Sequence, residues 1–248
     1  MRKFEFSEFD AIGEETLEAI GKAEKFNRWM YQTIKPWCKG EVLEIGSGAG
    51  NISQFFLEDG FHLTLTDIRK NYCRKLEEKF SGSSSLRGVV QMDLADHDFE
   101  NTHADILGTF DTVFALNVVE HIENDLLAVQ NSHKLLRPRG NLIILVPSYG
   151  WMYNRFDLGL GHYRRYTKKS LSRLFGKSGF QILHRQYFNF TGLFGWFVSG
   201  KILRKKVIPT GQVTLFNRMI SLVKSLDILT FRSAGLSTIV VGKKNKRE

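Results

Sequence analysis

The stretch VLEIGSGAGN, residues 42 to 51, is an apolar run that carries one acid, Glu44, and then opens into three glycines two residues apart, Gly46, Gly48 and Gly50. Val, Leu and Ile leading into glycines and then into NISQFFLEDG read as strand, turn and helix. That order brings backbone N–H groups and the positive end of a helix dipole to the carboxyl edge of a parallel sheet, where ligands of open α/β folds bind. A dinucleotide fingerprint would read G-x-G-x-x-G, with the helix N-terminus facing a pyrophosphate. Here Asn51 occupies the third glycine's place, and the pattern is E-x-G-x-G-x-G. An acid beside a pyrophosphate would bring two anions together in a partly dry cleft, whereas the same acid suits a cationic ligand. The glycines are expected to let the backbone approach that ligand closely.

Working outward, strand-like and helix-like segments alternate, which argues for a largely parallel sheet. The strands expected are EVLEIG at 41, HLTLTD at 62, GVVQMD at 88, DTVFALN at 111, NLIILVP at 141, FQILHRQYF at 180 and LSTIVVGKK at 236. An amphipathic helix is expected over 14 to 34, and NISQFFLEDG, RKNYCRKLEEKF, NDLLAVQNSHKLLRPRG and KKSLSRLFGKSGF read as helices between strands. Gly60 and Gly140 stand where helices should stop, Thr167 can cap the helix after it, and SGSSS at 81 to 85 is a polar loop.

Two further acids end successive strands. Asp67 closes the second, where a carboxylate can accept both hydroxyls of a ribose. Asp93 closes the third, placed to accept from an amino group such as that of adenine while the Leu94 amide donates to a ring nitrogen; a strand-end capping acid would look the same. Glu44, Asp67 and Asp93 together suit a ligand that combines an amine or sulfonium, a ribose diol and an adenine. That ligand is S-adenosylmethionine.

EVLEIGSGAGN, LTLTDI, QMDLAD, FDTVFALNVVEHI and LLRPRGNLIILVP, in this order, resemble the successive motifs of class I S-adenosylmethionine-dependent methyltransferases over residues 25 to 185. The resemblance implies an α/β, Rossmann-like sheet of seven strands in the order 3-2-1-4-5-7-6, the last strand antiparallel, with helices on both faces. It implies cofactor contacts at Glu44, Gly46, Ser47, Gly48, Gly50, Asp67, Ile68, Asp93, Leu94 and Asn117. FNRWMYQTI at 26 to 34 resembles the helix that covers the methionine end of the cofactor, with Tyr31 or Arg28 at its carboxylate. One methyltransferase domain is expected: cap helices over 1–36, a core over 37–188, a helical insertion or lid over 189–234, and the last strand with a basic tail over 235–248.

The acceptor side is less constrained. NVVE stands after the fourth strand, where enzymes methylating amino groups of nucleobases or glutamine resemble one another in [DN]-P-P-[YFW]. Cys38 and Cys73 are not placed as the nucleophile of a cytosine C5-methylating enzyme would be. His121, in NVVEHIEND, falls at the cleft edge, where it is either a base or a pocket wall. GHYRRYT at 161 to 167 gathers His162, Tyr163, Arg164, Arg165 and Tyr166, offering guanidinium forks for a carboxylate or phosphate and aromatic faces for a ring; an Arg-rich surface loop is the plainer account. It resembles the H-x-R-R-Y loops of quinone-biosynthesis and glycan-tailoring methyltransferases, so His162 competes with His121 as base. No spacing of Cys, His or acids demands a metal.

Composition limits the remaining choices. The chain has 248 residues, 42% of them apolar, enough for a sizeable core. Two cysteines cannot form a disulfide framework, and the acid-interrupted opening offers no secretion signal, so a cytoplasmic protein is expected. Residues 1–150 carry 16 Lys and Arg against 23 Asp and Glu, and residues 151–248 carry 19 against 3. The basic half is expected to face something anionic, or else to be a solvated face balancing an acidic one. TGLFGWFVSG at 191 to 200 is too short to cross a membrane, for which roughly 20 apolar residues are needed. The stretch 191–206 could still lie on a membrane surface, as a lid or a packing extension could occupy the same place. The expectation is therefore methyl transfer to a small or lipid-linked, anionic acceptor, with no obligate protein partner. An RNA methyltransferase using the basic half, and a cofactor-binding module without turnover, are the alternatives.

Overall fold

The computed structural model describes residues 21, 23–203 and 210–246. The cap helices expected over 1–36 fall largely outside them. Helix α1, Glu24–Ile34, leads to strand β1, Val42–Ile45, whose four residues are all buried. Burial on both faces is what a continuous apolar run at the centre of a parallel sheet produces. Then follow α2, Ser53–Glu58, β2, Leu63–Asp67, α3, Lys70–Phe80, and β3, Leu86–Gln91. A short α4, Phe99–Thr102, precedes β4, Phe110–Leu116, which turns into α5, Asp125–Leu135, and β5, Leu136–Pro147.

The helix expected through NDLLAVQNSHKLLRPRG stops at Leu135, five residues before Gly140. Leu136 is already extended, at φ −83° and ψ 140°; beyond it Pro138 supplies no N–H to continue the helix, and its ring disfavours a helical Arg137. The chain continues through α6, Arg155–Gly159, α7, Lys168–Lys177, and β6, Phe180–Phe188. Thr167 caps α7 as expected, its hydroxyl accepting from the Ser170 amide. Between β6 and the last strand lie α8, Phe190–Trp196, a π-helical turn over Phe197–Ile202, α9, Thr210–Arg218, and α10, Ile220–Leu229; β7, Ser237–Lys244, closes the sheet.

The seven strands stand in the order β3-β2-β1-β4-β5-β7-β6, with β7 antiparallel to both neighbours and the other pairings parallel. Side chains alternate between two cores, as the strand period of two requires. Leu43 and Ile45 of β1, Val113 and Ala115 of β4, and Leu142 and Ile144 of β5 face α5 and α7. Val42, Phe114, Ile143 and Leu145 face the other way, against Trp29, Met30 and Ile34 of α1, Phe55 and Phe56 of α2, and Ile220 and Val223 of α10.

The helices between β6 and β7 are anchored by one buried acid. Asp227 accepts from the backbone amides of Asn189 and Phe190, the groups left unpaired at the start of α8. Asn217 accepts from the Phe26 amide, which ties α9 to α1.

The chain runs outward from β1 to β2 and β3, then returns to lay β4 on the other side of β1. The crevice at the carboxyl ends of β1 and β4 is the point where strand order reverses, the usual ligand position in open α/β sheets.

Candidate active site

The glycine turn lies at that crevice, and the protein itself accounts for part of its composition. Gly46, Gly48 and Gly50 have φ of +68°, +53° and +72°, a backbone region that favours glycine. A Cβ on Gly46 would lie 2.5 Å from Val118 Cγ2, and one on Gly50 would lie 2.6 Å from Phe80 Cε2. Close approach of a ligand was the expected cause; at these two positions the turn and its own neighbours already exclude a side chain.

Two carboxylates lie beneath the turn. Glu44 is buried, and one of its oxygens accepts a short hydrogen bond from the Ser53 hydroxyl at the start of α2. Burial pushes its pKa up to about 8, against the hydrogen bonds of Ser53 and Ser47 and with the charge of Asp67 adding to the push. Asp67, also buried, accepts from the Gly48 amide at 3.0 Å and the Arg69 amide at 2.9 Å. Burial raises its pKa as well, while those amides pull the other way. Two neighbouring acids in a dry site, both reluctant to ionise, are what a cationic ligand would relieve. Asp93 stands apart: β3 ends at Gln91, and Asp93 lies exposed beyond it, one oxygen accepting from the Ala95 amide at 2.8 Å. Leu94 is buried in the core, and Ile68 is half-buried next to Asp67.

Asn117, just past β4, is exposed and held at φ +55°, its amide donating to Leu145 O. A non-glycine residue in that conformation needs surrounding structure to hold it there, and such residues gather at ligand sites.

Tyr31 and Arg28 do not reach this crevice. Tyr31 is buried, with its hydroxyl on Asp59 just past the far end of α2, and Arg28 pairs with Glu24 and Glu58. Gly21, ahead of α1, is close to the glycine turn: a Cβ on it would lie 3.2 Å from Asn51 Oδ1.

Past Asn117, a single 3₁₀ turn, Val119–His121, meets the GHYRRYT loop. Tyr163 N donates to Glu120 O at 2.8 Å, and the rings of His121 and His162 meet edge to face with centroids 4.6 Å apart. His162 Nδ1 lies 2.8 Å from Asp157 Oδ1, and the same oxygen accepts from Arg165 Nε at 2.7 Å. Burial would raise the Asp157 pKa, but the His162 hydrogen bond and the Arg165 charge outweigh it and hold Asp157 below the carboxylate range. An ionised Asp157 can only accept, so His162 Nδ1 is the donor and Nε2 is the ring nitrogen left over.

His121 keeps an exposed side, yet packed protein around its ring, followed by the neighbouring His162, disfavours the imidazolium. Water at the exposed side softens that push; its direction leaves the ring neutral at physiological pH. Glu120 is fully buried, neither carboxylate oxygen has a well-formed hydrogen bond among the described residues, and burial pushes its pKa up to about 8 against the pull of its own backbone amide.

The two arginines of the loop, expected as a fork for an anionic acceptor, are engaged within the chain. Arg165 is buried, pairs with Asp157, donates to Ser148 O and stacks over Trp196. Arg164 pairs with Asp125 at 2.9 Å and donates to Glu123 O. Tyr166 is buried, its hydroxyl donating to Asp125 Oδ2 at 2.8 Å. Tyr163 and Arg164 remain half-buried. Asp157, at the centre of this network, escaped the sequence reading; its signal was its rarity, since residues 151–248 contain only three acids.

Residues 43–142 match the model of a methyltransferase domain family. That stretch is therefore similar to a methyltransferase domain. Relatives of this domain include a ubiquinone biosynthesis O-methyltransferase of Xanthomonas campestris, 28% identical over 103 residues that make up 42% of this chain and 41% of that protein. A highly reducing polyketide synthase of Pyrenophora dematioidea is 28% identical over 130 residues, 48% of this chain and 5% of the synthase. The matched stretch thus spans less than half the length of either relative. Among solved structures, an S-adenosylmethionine-dependent methyltransferase from Archaeoglobus fulgidus shares the fold with a TM-score of 0.62 at 16% identity, over 93% of this chain and 98% of that one. Phosphoethanolamine N-methyltransferase 2 of Haemonchus contortus, solved with S-adenosylmethionine, shares it with a TM-score of 0.64 at 15% identity, over 99% of this chain and 61% of that one. The buried Glu44 and Asp67 beside the glycine turn are of a chemistry that fits the cationic S-adenosylmethionine.

Proposed function

We propose that this protein transfers a methyl group from S-adenosylmethionine to a small or lipid-linked acceptor bearing an acidic group. The observation that carries the reading is the pair of buried, reluctantly ionised carboxylates, Glu44 and Asp67, at the crevice where strand order reverses. The cofactor supplies an already activated sulfonium methyl, so the protein's main work is alignment and exclusion of water. In this reading Glu44 and Asp67 hold the cationic portion and the ribose, with Gly46, Ser47, Gly48 and Gly50 forming the floor. Ile68, Asp93 and Leu94 flank the adenine, and Asn117 fixes the edge nearest the acceptor.

His121 and His162 face the acceptor's proton. An imidazole can take a proton from a hydroxyl at its unprotonated nitrogen, and Asp157, by engaging Nδ1, leaves that role in His162 to Nε2. Tyr163 and Arg164, at the half-buried rim, contact the acceptor, while Arg165 and Tyr166 hold the loop from beneath. The helices of 189–234 serve as a lid. Their exposed Phe194, Phe197, Ile202 and Leu203 beside Lys201 support an apolar, anionic acceptor or a membrane surface that delivers it. No helix among the described residues is long and apolar enough to cross a membrane. The charge division along the chain also favours a second reading, RNA as acceptor, for which strong and salt-sensitive RNA binding would be required.

Calorimetric titration tests the first reading. Saturable heat is expected with S-adenosylmethionine and none with NADH, and the reverse result overturns it.

A further inference from the structure

Glu120 and His121 stand on the turn after β4, and His162 on the loop that leads into α7. One donor atom from each lies within 4.8 Å of the other two. We propose that these three side chains form a divalent transition-metal site of two imidazoles and one carboxylate, with coordination positions open toward the acceptor.

Glu120 supplies the first argument. A fully buried carboxylate with no well-formed hydrogen bond on either oxygen among the described residues is a rarity that calls for an explanation, and an ion seated against it is one. His162 supplies the second. Its Nδ1 is held by Asp157, and a carboxylate behind an imidazole is the arrangement that fixes tautomer and ring direction in metal-bound histidines. That leaves Nε2 as the nitrogen that can take an ion. His121 supplies the third, because its exposed side gives an ion a way in and leaves room for a further ligand. The hydrogen bond from Tyr163 N to Glu120 O holds the two segments in register.

Local charge permits a cation here. Arg165 lies close enough to influence Glu120, but it is matched by Asp157 at 2.7 Å; Arg69 acts on His121 from the other side, and the Glu120 carboxylate would supply the negative charge that an ion needs. Metal–ligand bonds of about 2.0 to 2.2 Å set neighbouring donors roughly 3 to 4 Å apart, so modest side-chain rotation would close the site. Two nitrogen donors in three select zinc, manganese, iron or cobalt over magnesium or calcium, which take oxygen. Such an ion would bind an acceptor hydroxyl as a Lewis acid and lower its pKa, the proton passing to water. Both imidazoles would then be ligands and not bases. That use rests on methyl transfer at this crevice; ion binding by itself does not.

The test is titration of Co²⁺ into the chelator-stripped full chain, followed by visible absorption and by competition with Zn²⁺. One saturable site is expected, weakened at least about tenfold in E120Q and in H121A and unchanged in H97A. Circular dichroism confirms that each variant is folded; His162 is left intact because Asp157 and Arg165 depend on it. Absence of a saturable site, or a site that survives both E120Q and H121A, overturns the proposal. S-adenosylmethionine titrated in the presence of chelator keeps the two readings apart. Retained cofactor heat without a cobalt site removes only the ion, and a cobalt site without cofactor heat removes only the methyl-transfer reading.

Discussion

Replacing Gly46 by alanine puts a methyl group on a residue at φ +68°, with its Cβ 2.5 Å from Val118 Cγ2. The left-handed backbone costs about 1 to 2 kcal/mol for a residue with a Cβ. Forcing a carbon into a filled space costs about 1 to 3 kcal/mol more. Gly46→Ala is therefore expected to destabilise the chain by about 2 to 5 kcal/mol. At about 2 to 4 °C per kcal/mol for a chain of this size, the melting temperature falls by at least roughly 4 °C. Gly60 is the internal control, at φ +75° with nothing within 4 Å of where its Cβ would stand, so Gly60→Ala carries the backbone cost alone. Val118→Ala opens the space beside Gly46, and the double variant should recover the steric part, a coupling of about 0.5 to 3 kcal/mol. Urea unfolding without cofactor measures all four proteins. If Gly46→Ala is no more damaging than Gly60→Ala, or if Val118→Ala restores nothing, then the crowding of this turn by its own neighbours is not why glycine stands there.

The Glu44 carboxyl, ordinarily at 4.5 and pushed up to about 8 by burial, binds its proton more tightly in the folded chain than in the unfolded one. Stability without cofactor should then fall as pH rises from 4.5 toward 8, and Glu44→Gln should flatten that slope in urea midpoints; a slope of opposite sign, unaltered by the variant, contradicts it. Asp67→Ala should weaken S-adenosylmethionine binding by about 1 to 3 kcal/mol in calorimetry, and unchanged affinity would remove Asp67 from the site. Asp157→Asn leaves the buried Arg165 guanidinium without its counter-charge and should cost about 3 to 5 kcal/mol of unfolding free energy; a loss below about 1 kcal/mol would mean the ion pair does not hold the loop. Tyr166→Phe, which removes one hydrogen bond to Asp125, should cost only about 0.5 to 1.5 kcal/mol in the same measurement, and a larger loss would give the hydroxyl a second role.

Periodicity was enough to find the strands, and the resemblance to class I methyltransferases implied their order. Val42, Leu43 and Ile45 must be buried wherever they go, and only glycine occupies φ near +70° comfortably, so strand, turn and ligand edge were all legible in ten residues. Gly140 misled as a helix stop because Pro138 acts earlier, through sterics that outweigh the helical pattern before it. The purpose of Gly46 and Gly50 was legible only in part: the backbone demand is local, but Val118 and Phe80 arrive from other segments.

Asp227 and Asp157 show the same division between sequence and structure. Both are rare acids in a basic half, conspicuous in composition, yet nothing in their neighbours says that one anchors the start of α8 while the other binds His162 and Arg165. Arg164 and Arg165 looked available to an acceptor because sequence does not record which charges fold against one another. Local pattern determined the strands, the glycine turn and the acid beneath it, since these follow from a residue's own backbone and polarity. Tertiary structure alone decided which charges are engaged and which, like Glu120, are left buried and unpaired, because that depends on what distant segments bring within a few ångströms.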